Sequence, residues 1–112
     1  MKREPKEKLP KLTEKQFSQQ VTDLASKKMD WRVYHTWNSL HSAAGFPDLT
    51  MVNARQGRVI FAELKVGTNI PTKAQYEWLA DLQACPDVEV HVWYPEDIDQ
   101  IASILMGKEE VS

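Results

Sequence analysis

The stretch GFPDLTMVNARQGRVIFAELK, residues 45–65, decides the fold. Two runs of strand-forming residues, 49–54 and 58–66, flank a turn signal at Gln56-Gly57. Folded as a hairpin about that dipeptide, residues whose numbers sum to 113 face each other. This places Asp48 opposite Lys65 and Glu63 opposite Thr50. Glu63 and Lys65 are two apart, so both leave the same face of the second strand. Asp48 shares that face, across from Lys65 and diagonal to Glu63. A slip of one residue would send Asp48 to the other face.

The rest of the chain supplies a frame for this hairpin. Thr13 with Gln16 three residues on makes a capping-box pattern, followed by an apolar stripe at Phe17, Val21, Leu24 and Ala25. This predicts a helix ending near Asp30. The run WRVYHTW, residues 31–37, is β-branched and aromatic and predicts a strand. Residues 38–46 are small and polar and end at a Gly-Phe pair, so a loop leads into Pro47-Asp48. After a second loop at 67–71, Thr72 and Gln75 form another capping box, with Gln75, Trp78, Leu79 and Leu82 as the inner stripe. Val88, Val90 and Val92 alternate with Glu89, His91 and Trp93, which predicts a strand with one apolar face. Pro95 opens a last helix with acids in its first turn, Ile98, Ile101, Ala102 and Leu105 inward, and Gly107 at its end. The order is α-β-β-β-α-β-α. A strand–helix–strand unit beside a hairpin predicts an α/β fold, a mixed four-stranded sheet flanked by helices.

A chain of 112 residues fits one domain. Its expected divisions are a flexible basic arm at 1–11, a globular domain at 12–107 and a polar tail at 108–112. No apolar run approaches the roughly 20 residues of a membrane span, and the start MKREPKEKLP is too polar for a signal peptide. The single Cys85 excludes an internal disulfide and a cysteine zinc site, and points to a reducing, cytoplasmic setting. The net charge of −2 gives no general case for nucleic-acid binding. Its distribution is uneven: residues 1–28 carry a net of +4, residues 29–80 a net of +1 and residues 81–112 a net of −7. A phosphate backbone favours the first two-thirds, although a solvated basic tail and a solvated acidic helix account for the same numbers.

Adjacent carboxylates repel unless neutralised. Mg²⁺ takes oxygen ligands, often one or two carboxylates together with phosphate oxygens. Asp48 and Glu63 meet that requirement, with the Leu64 backbone carbonyl as a further ligand. Lys65 beside them can orient water or hold a phosphate oxygen. The set suits phosphodiester hydrolysis. A plain ion pair between Asp48 and Lys65, with Glu63 merely exposed, fits the spacing too.

The motifs Gly45-Phe46-Pro47-Asp48 and Phe61-Ala62-Glu63-Leu64-Lys65, followed by Gln75 on the next helix, resemble the VRR-NUC nucleases of the PD-(D/E)XK superfamily, in their small stand-alone bacterial and phage form. The resemblance spans residues 13–105 and implies an αβββαβ restriction-endonuclease-like core. It implies Mg²⁺ or Mn²⁺ held by Asp48 and Glu63, Lys65 as the catalytic lysine, and Gln75 as a residue positioning the lysine or the substrate. It also implies a further metal-reaching Glu on the first helix, for which Glu14 is the candidate. The implied activity is that of a metal-dependent DNA endonuclease acting on branched DNA such as four-way junctions, as a homodimer, with no membrane partner.

Lys15, Asn38, Ser39, Ser42, Arg55, Arg58 and Lys73 are the candidate phosphate contacts. His35 and His41 flank the loop before Asp48, and an ordinary structural role suits both. Two other readings stand beside the enzyme. One is a non-catalytic nucleic-acid-binding module using the basic arm, Arg32, Arg55, Arg58 and Lys73. The other is a protein-interaction domain using the acidic last helix.

Overall fold

A computed structural model describes residues 11–37 and 43–107. The expected terminal arm, apart from Lys11, and the tail at 108–112 lie outside the described residues. Helix α1 spans Glu14–Asp23 and continues into a wider π turn over Leu24–Lys28. Strands β1 (Arg32–His35), β2 (Leu49–Asn53) and β3 (Arg58–Leu64) follow, then α2 (Lys73–Gln83), β4 (Glu89–Trp93), a short 3-10 turn (Pro95–Asp97) and α3 (Ile98–Met106). The sheet runs β1-β2-β3-β4, antiparallel through β3 and parallel between β3 and β4. The expected mixed four-stranded sheet flanked by helices is the fold that forms.

Both capping boxes form. Thr13 Oγ1 accepts from Gln16 N, and Gln16 Oε1 accepts from Thr13 N; Thr72 and Gln75 repeat the pattern. Each satisfies two of the N–H groups a helix start leaves open. Asp30, in the left-handed region at φ 64°, turns the chain from the π turn into β1. Asp tolerates that conformation better than most residues.

One sheet face carries Trp31, Leu49, Met51, Ile60, Ala62, Leu64 and Trp93, all buried against Phe17, Val21, Ala25, Ile101 and Leu105. That layer, packed under α1 and α3, is the main core. Trp93 sits in it, so β4 does not have the single apolar face expected from its valines. The Glu89–His91–Trp93 face is covered too, with His91 stacked on Trp93 at 5.2 Å. Apart from the buried Trp93, β4 is half-buried on both faces. The opposite sheet face is partly covered by α2. Phe46 makes edge contacts with Phe61 of β3 and Trp78 of α2, at 5.9 and 5.0 Å. Leu79 of α2 is buried but lies outside the main core.

The hairpin register differs from expectation. Leu49 pairs with Ala62, Met51 with Ile60 and Asn53 with Arg58. The connection is therefore the four residues 54–57, not a two-residue turn at Gln56-Gly57. Asn53 Oδ1 accepts from Gln56 N at 2.9 Å, and Gly57 takes φ 67°. An Asn side chain that closes a turn on the backbone two or three residues on is a strong local determinant. The register moves by two residues, so every side chain keeps its face but changes its partner. Continued one residue beyond the ladder, it brings Asp48 opposite Glu63 rather than Lys65.

Candidate metal centre

The centre lies where β2 and β3 part, at the rim of the sheet. Pro47 has no N–H to give to a ladder, and the β2–β3 pairing ends at Leu49–Ala62. Asp48 Oδ2 instead accepts the Leu64 N–H at 2.9 Å. This side-chain bond takes over where the backbone bonds stop and fixes the carboxylate. It also holds the backbone of Leu64, the expected carbonyl ligand, against Asp48. On the other side of Asp48, its carbonyl accepts from Thr36 N at 2.9 Å, and Thr36 Oγ1 donates to the Pro47 carbonyl at 2.6 Å. Thr36 thus locks the Pro47-Asp48 segment onto β1. Nothing in the sequence marks Thr36 for this role beyond its place at the end of a strand.

Gly45 does a second positioning job. Its φ is 89°, and a Cβ there would lie 2.5 Å from the Ala74 carbonyl carbon and 2.8 Å from Gln75 N. The first turn of α2 therefore presses directly on the loop that carries Asp48. Only glycine permits both the angle and the approach.

Glu63 points from β3 onto the Asp48 face and is 1% exposed. Neither of its carboxylate oxygens has a hydrogen-bond partner. Lys65, two residues on, brings Nζ to 3.4 Å of Glu63 Oε2 with 12% of its side chain exposed, an ion pair without hydrogen-bond alignment. Burial, and next the charge of Asp48, push the Glu63 carboxyl up to about 8, against the pull of Lys65. Glu14, in the first turn of α1, completes the group. One carboxylate oxygen each from Glu14, Asp48 and Glu63 lie within 4.8 Å of one another.

A buried carboxylate with two orphaned oxygens is an expensive feature in a small domain. Two further carboxylates converging on it would raise that cost unless a cation were held between them. The donor set is all oxygen, which suits Mg²⁺ or Mn²⁺ over softer metals. The residues present therefore fit a divalent ion.

The remaining expected site residues divide. Lys15 is exposed beside Glu14 on α1, and Lys73 is exposed at the start of α2. Among the described residues, Gln75 makes only its capping bonds, with Oε1 committed to Thr72 N at 2.8 Å. Arg58 does not join the site. It starts β3, about 17 Å from Glu63 along the strand. There it makes a two-pronged pair with Glu89 at 2.6 and 2.7 Å and lies 5.1 Å over the Trp31 ring. Arg55 lies in the turn beyond it and pairs with Asp30 at 3.1 Å. Asn38, Ser39, His41 and Ser42 lie outside the described residues. His35 ties β1 to α1 through Thr22 Oγ1 at 3.0 Å and Ser18 Oγ at 3.4 Å, the structural role expected of it. Trp37 is 77% exposed beyond the end of β1.

Among the described residues, no helix is long and apolar enough to cross a membrane. No family model matches the chain, and no curated protein or solved structure is significantly similar to it.

Proposed function

We propose that this protein is a metal-dependent phosphodiesterase acting on DNA, an endonuclease of the PD-(D/E)XK type. The observation that carries the reading is the convergence of Glu14, Asp48 and Glu63 on one point, with the buried Glu63 oxygens lacking hydrogen-bond partners and Lys65 alongside. A divalent cation held there would draw off charge developing on a phosphoryl group and make water a competent nucleophile near neutral pH.

The chain's own residues do the rest. Asp48 is fixed by the Leu64 N–H and cannot swing away. Glu63 is held rigid by burial. Lys65 keeps an ammonium at the rim, where it donates hydrogen bonds to the attacking water or to a non-bridging phosphate oxygen. In the hydrolysis, the water oxygen forms a bond to phosphorus, one P–O ester bond breaks, and the water's proton is finally balanced on the departing hydroxyl. Acids placed so close to a phosphate track would repel it in a protein that only bound nucleic acid. In keeping with the family it resembles, the proposed substrate is branched duplex DNA, cut by a homodimer in the cytoplasm of a bacterial or phage-infected cell.

The test is cleavage of end-labelled four-way junction, flap and linear duplex DNA in Mg²⁺, Mn²⁺ or EDTA. Metal-dependent cutting by the wild type, lost in Lys65→Ala, is the expected result. Binding of junctions in Ca²⁺ by a folded wild type that cuts none of them in any metal would sink the enzyme and favour a binding module.

A further inference from the structure

The face that carries Asp48 and Glu63 continues away from the metal centre as an open shelf. Its rungs follow from the strand pairing. Asp48 neighbours Thr36 through a backbone bond, Thr50 pairs with Tyr34, and Val52 pairs with Arg32. Alternation puts all six on the Glu63 face. The α2 helix and the Phe46–Phe61–Trp78 cluster cover the β3–β4 half of this face, and β1 is the sheet edge. The β1–β2 half is more open, with Thr36 and Thr50 half-buried. Tyr34 is 60% exposed and Val52 42%, while Met51 and Leu49, pointing the other way, are fully buried. Arg32 is exposed and, among the described residues, has no carboxylate partner, unlike the other two described arginines, Arg55 and Arg58.

We propose that this shelf is the track for the nucleic-acid strand that runs off the scissile phosphate, with Tyr34 stacking on a nucleotide and Arg32 binding a phosphate beyond it. The inference rests on the phosphodiesterase reading of the site. Rungs on one face repeat every two residues, about 6.8 Å, so Tyr34 and Arg32 lie about 7 and 14 Å from the Asp48 rung. The farther distance is the rise of about four nucleotides of one strand. An exposed aromatic ring on a sheet face offers a stacking platform of the kind single strands use. An unpaired guanidinium at the far end supplies charge opposite to phosphate and does not compete with the carboxylates of the centre. The edge position leaves room for the strand to leave the protein.

The test uses the full chain with Ca²⁺ as the divalent ion, so that the carboxylates are neutralised and nothing is cut, and a fluorescein-labelled single-stranded 20-mer read by anisotropy. Arg32→Gln is expected to weaken binding about tenfold and to lower the slope of log K against log salt by about 0.7, one phosphate contact on a single strand. Tyr34→Ala is expected to weaken it about tenfold with the salt slope unchanged, and Tyr34→Phe to restore it. Lys27→Gln, at a cation already paired with Asp23, serves as the control for lost surface charge. All three positions are exposed, and unchanged circular dichroism establishes folding. If the wild type binds and cuts while Arg32→Gln and Tyr34→Ala bind like wild type, the shelf is not the track and the phosphodiesterase stands. A Val52→Glu variant that turns a dimer into a monomer with strand binding intact gives the face to a second copy and overturns the inference. A folded wild type that neither binds nor cuts removes the phosphodiesterase reading and the track with it.

Discussion

Replacing Glu63 by Gln removes a buried carboxyl whose ionisation the fold resists, and the consequence is set by linkage. With the native carboxyl at about 8 against 4.5 unfolded, the native state holds a proton that the unfolded chain has lost. Stability from this group is fully present below pH 4.5 and drains away as pH rises to about 8. The gap between 4.5 and about 8, at about 1.4 kcal/mol for each tenfold in proton affinity, sets a ceiling of roughly 5 kcal/mol. Water entering on ionisation brings the expected effect to about 2–5 kcal/mol. Other groups run the opposite way, His91 and Glu89 among them. His91 is lowered by burial, and Glu89 is lowered by its hydrogen bonds to Arg58, so both favour the native state as pH rises. The quantity to measure is therefore the difference between Glu63→Gln and wild type. Urea unfolding from pH 4.5 to 9, without divalent metal, should show the variant gaining on wild type until about pH 8 and then running level. Saturating Mg²⁺ should close the gap by stabilising the wild type alone, more at pH 8 than at pH 6, since binding must release the Glu63 proton. A difference that stays flat with pH would refute the reasoning, because Glu63 would then be ionised throughout.

Three further outcomes are expected. Gly45→Ala places a methyl 2.5 Å from the Ala74 carbonyl carbon at a positive φ, and should cost about 2–4 kcal/mol in thermal or urea melts and disable the site by displacing Asp48. Arg58→Ala should destabilise by about 2–4 kcal/mol through the stranded Glu89 and the lost Trp31 contact, while DNA binding per folded molecule stays within about twofold by anisotropy. Thr72→Ala removes the α2 cap and should cost about 1 kcal/mol in the same melts.

Much of the fold was legible because its determinants are local. The capping boxes at Thr13 and Thr72 announce where α1 and α2 start, and alternation within 49–53 and 58–64 announces the hairpin. The grouping of Asp48, Glu63 and Lys65 survived a wrong turn because a two-residue register shift preserves faces. What was lost was the pairing, since Asn53 closing on Gln56 N competes with the Gln56-Gly57 signal and wins. Arg58 read as a phosphate contact because its partner Glu89 is 31 residues away, and no local pattern shows that pair. Trp93 read as an outward residue for a similar reason. Only the tertiary arrangement places Trp93 in the core layer under the helices. Glu14 was suggested by resemblance alone, and it is the rim position of the α1 N-terminus that brings its carboxylate to Asp48 and Glu63.

The proposed chemistry requires that Glu14, Asp48 and Glu63 together hold a divalent cation. Titrating Mn²⁺ into the protein at pH 8, with free ion counted by electron paramagnetic resonance, measures this without any substrate. Saturable binding by wild type is expected, abolished in Asp48→Asn and Glu63→Gln and weakened in Glu14→Gln, with all three variants folded. No binding by wild type, or binding that none of the three substitutions changes, would contradict it.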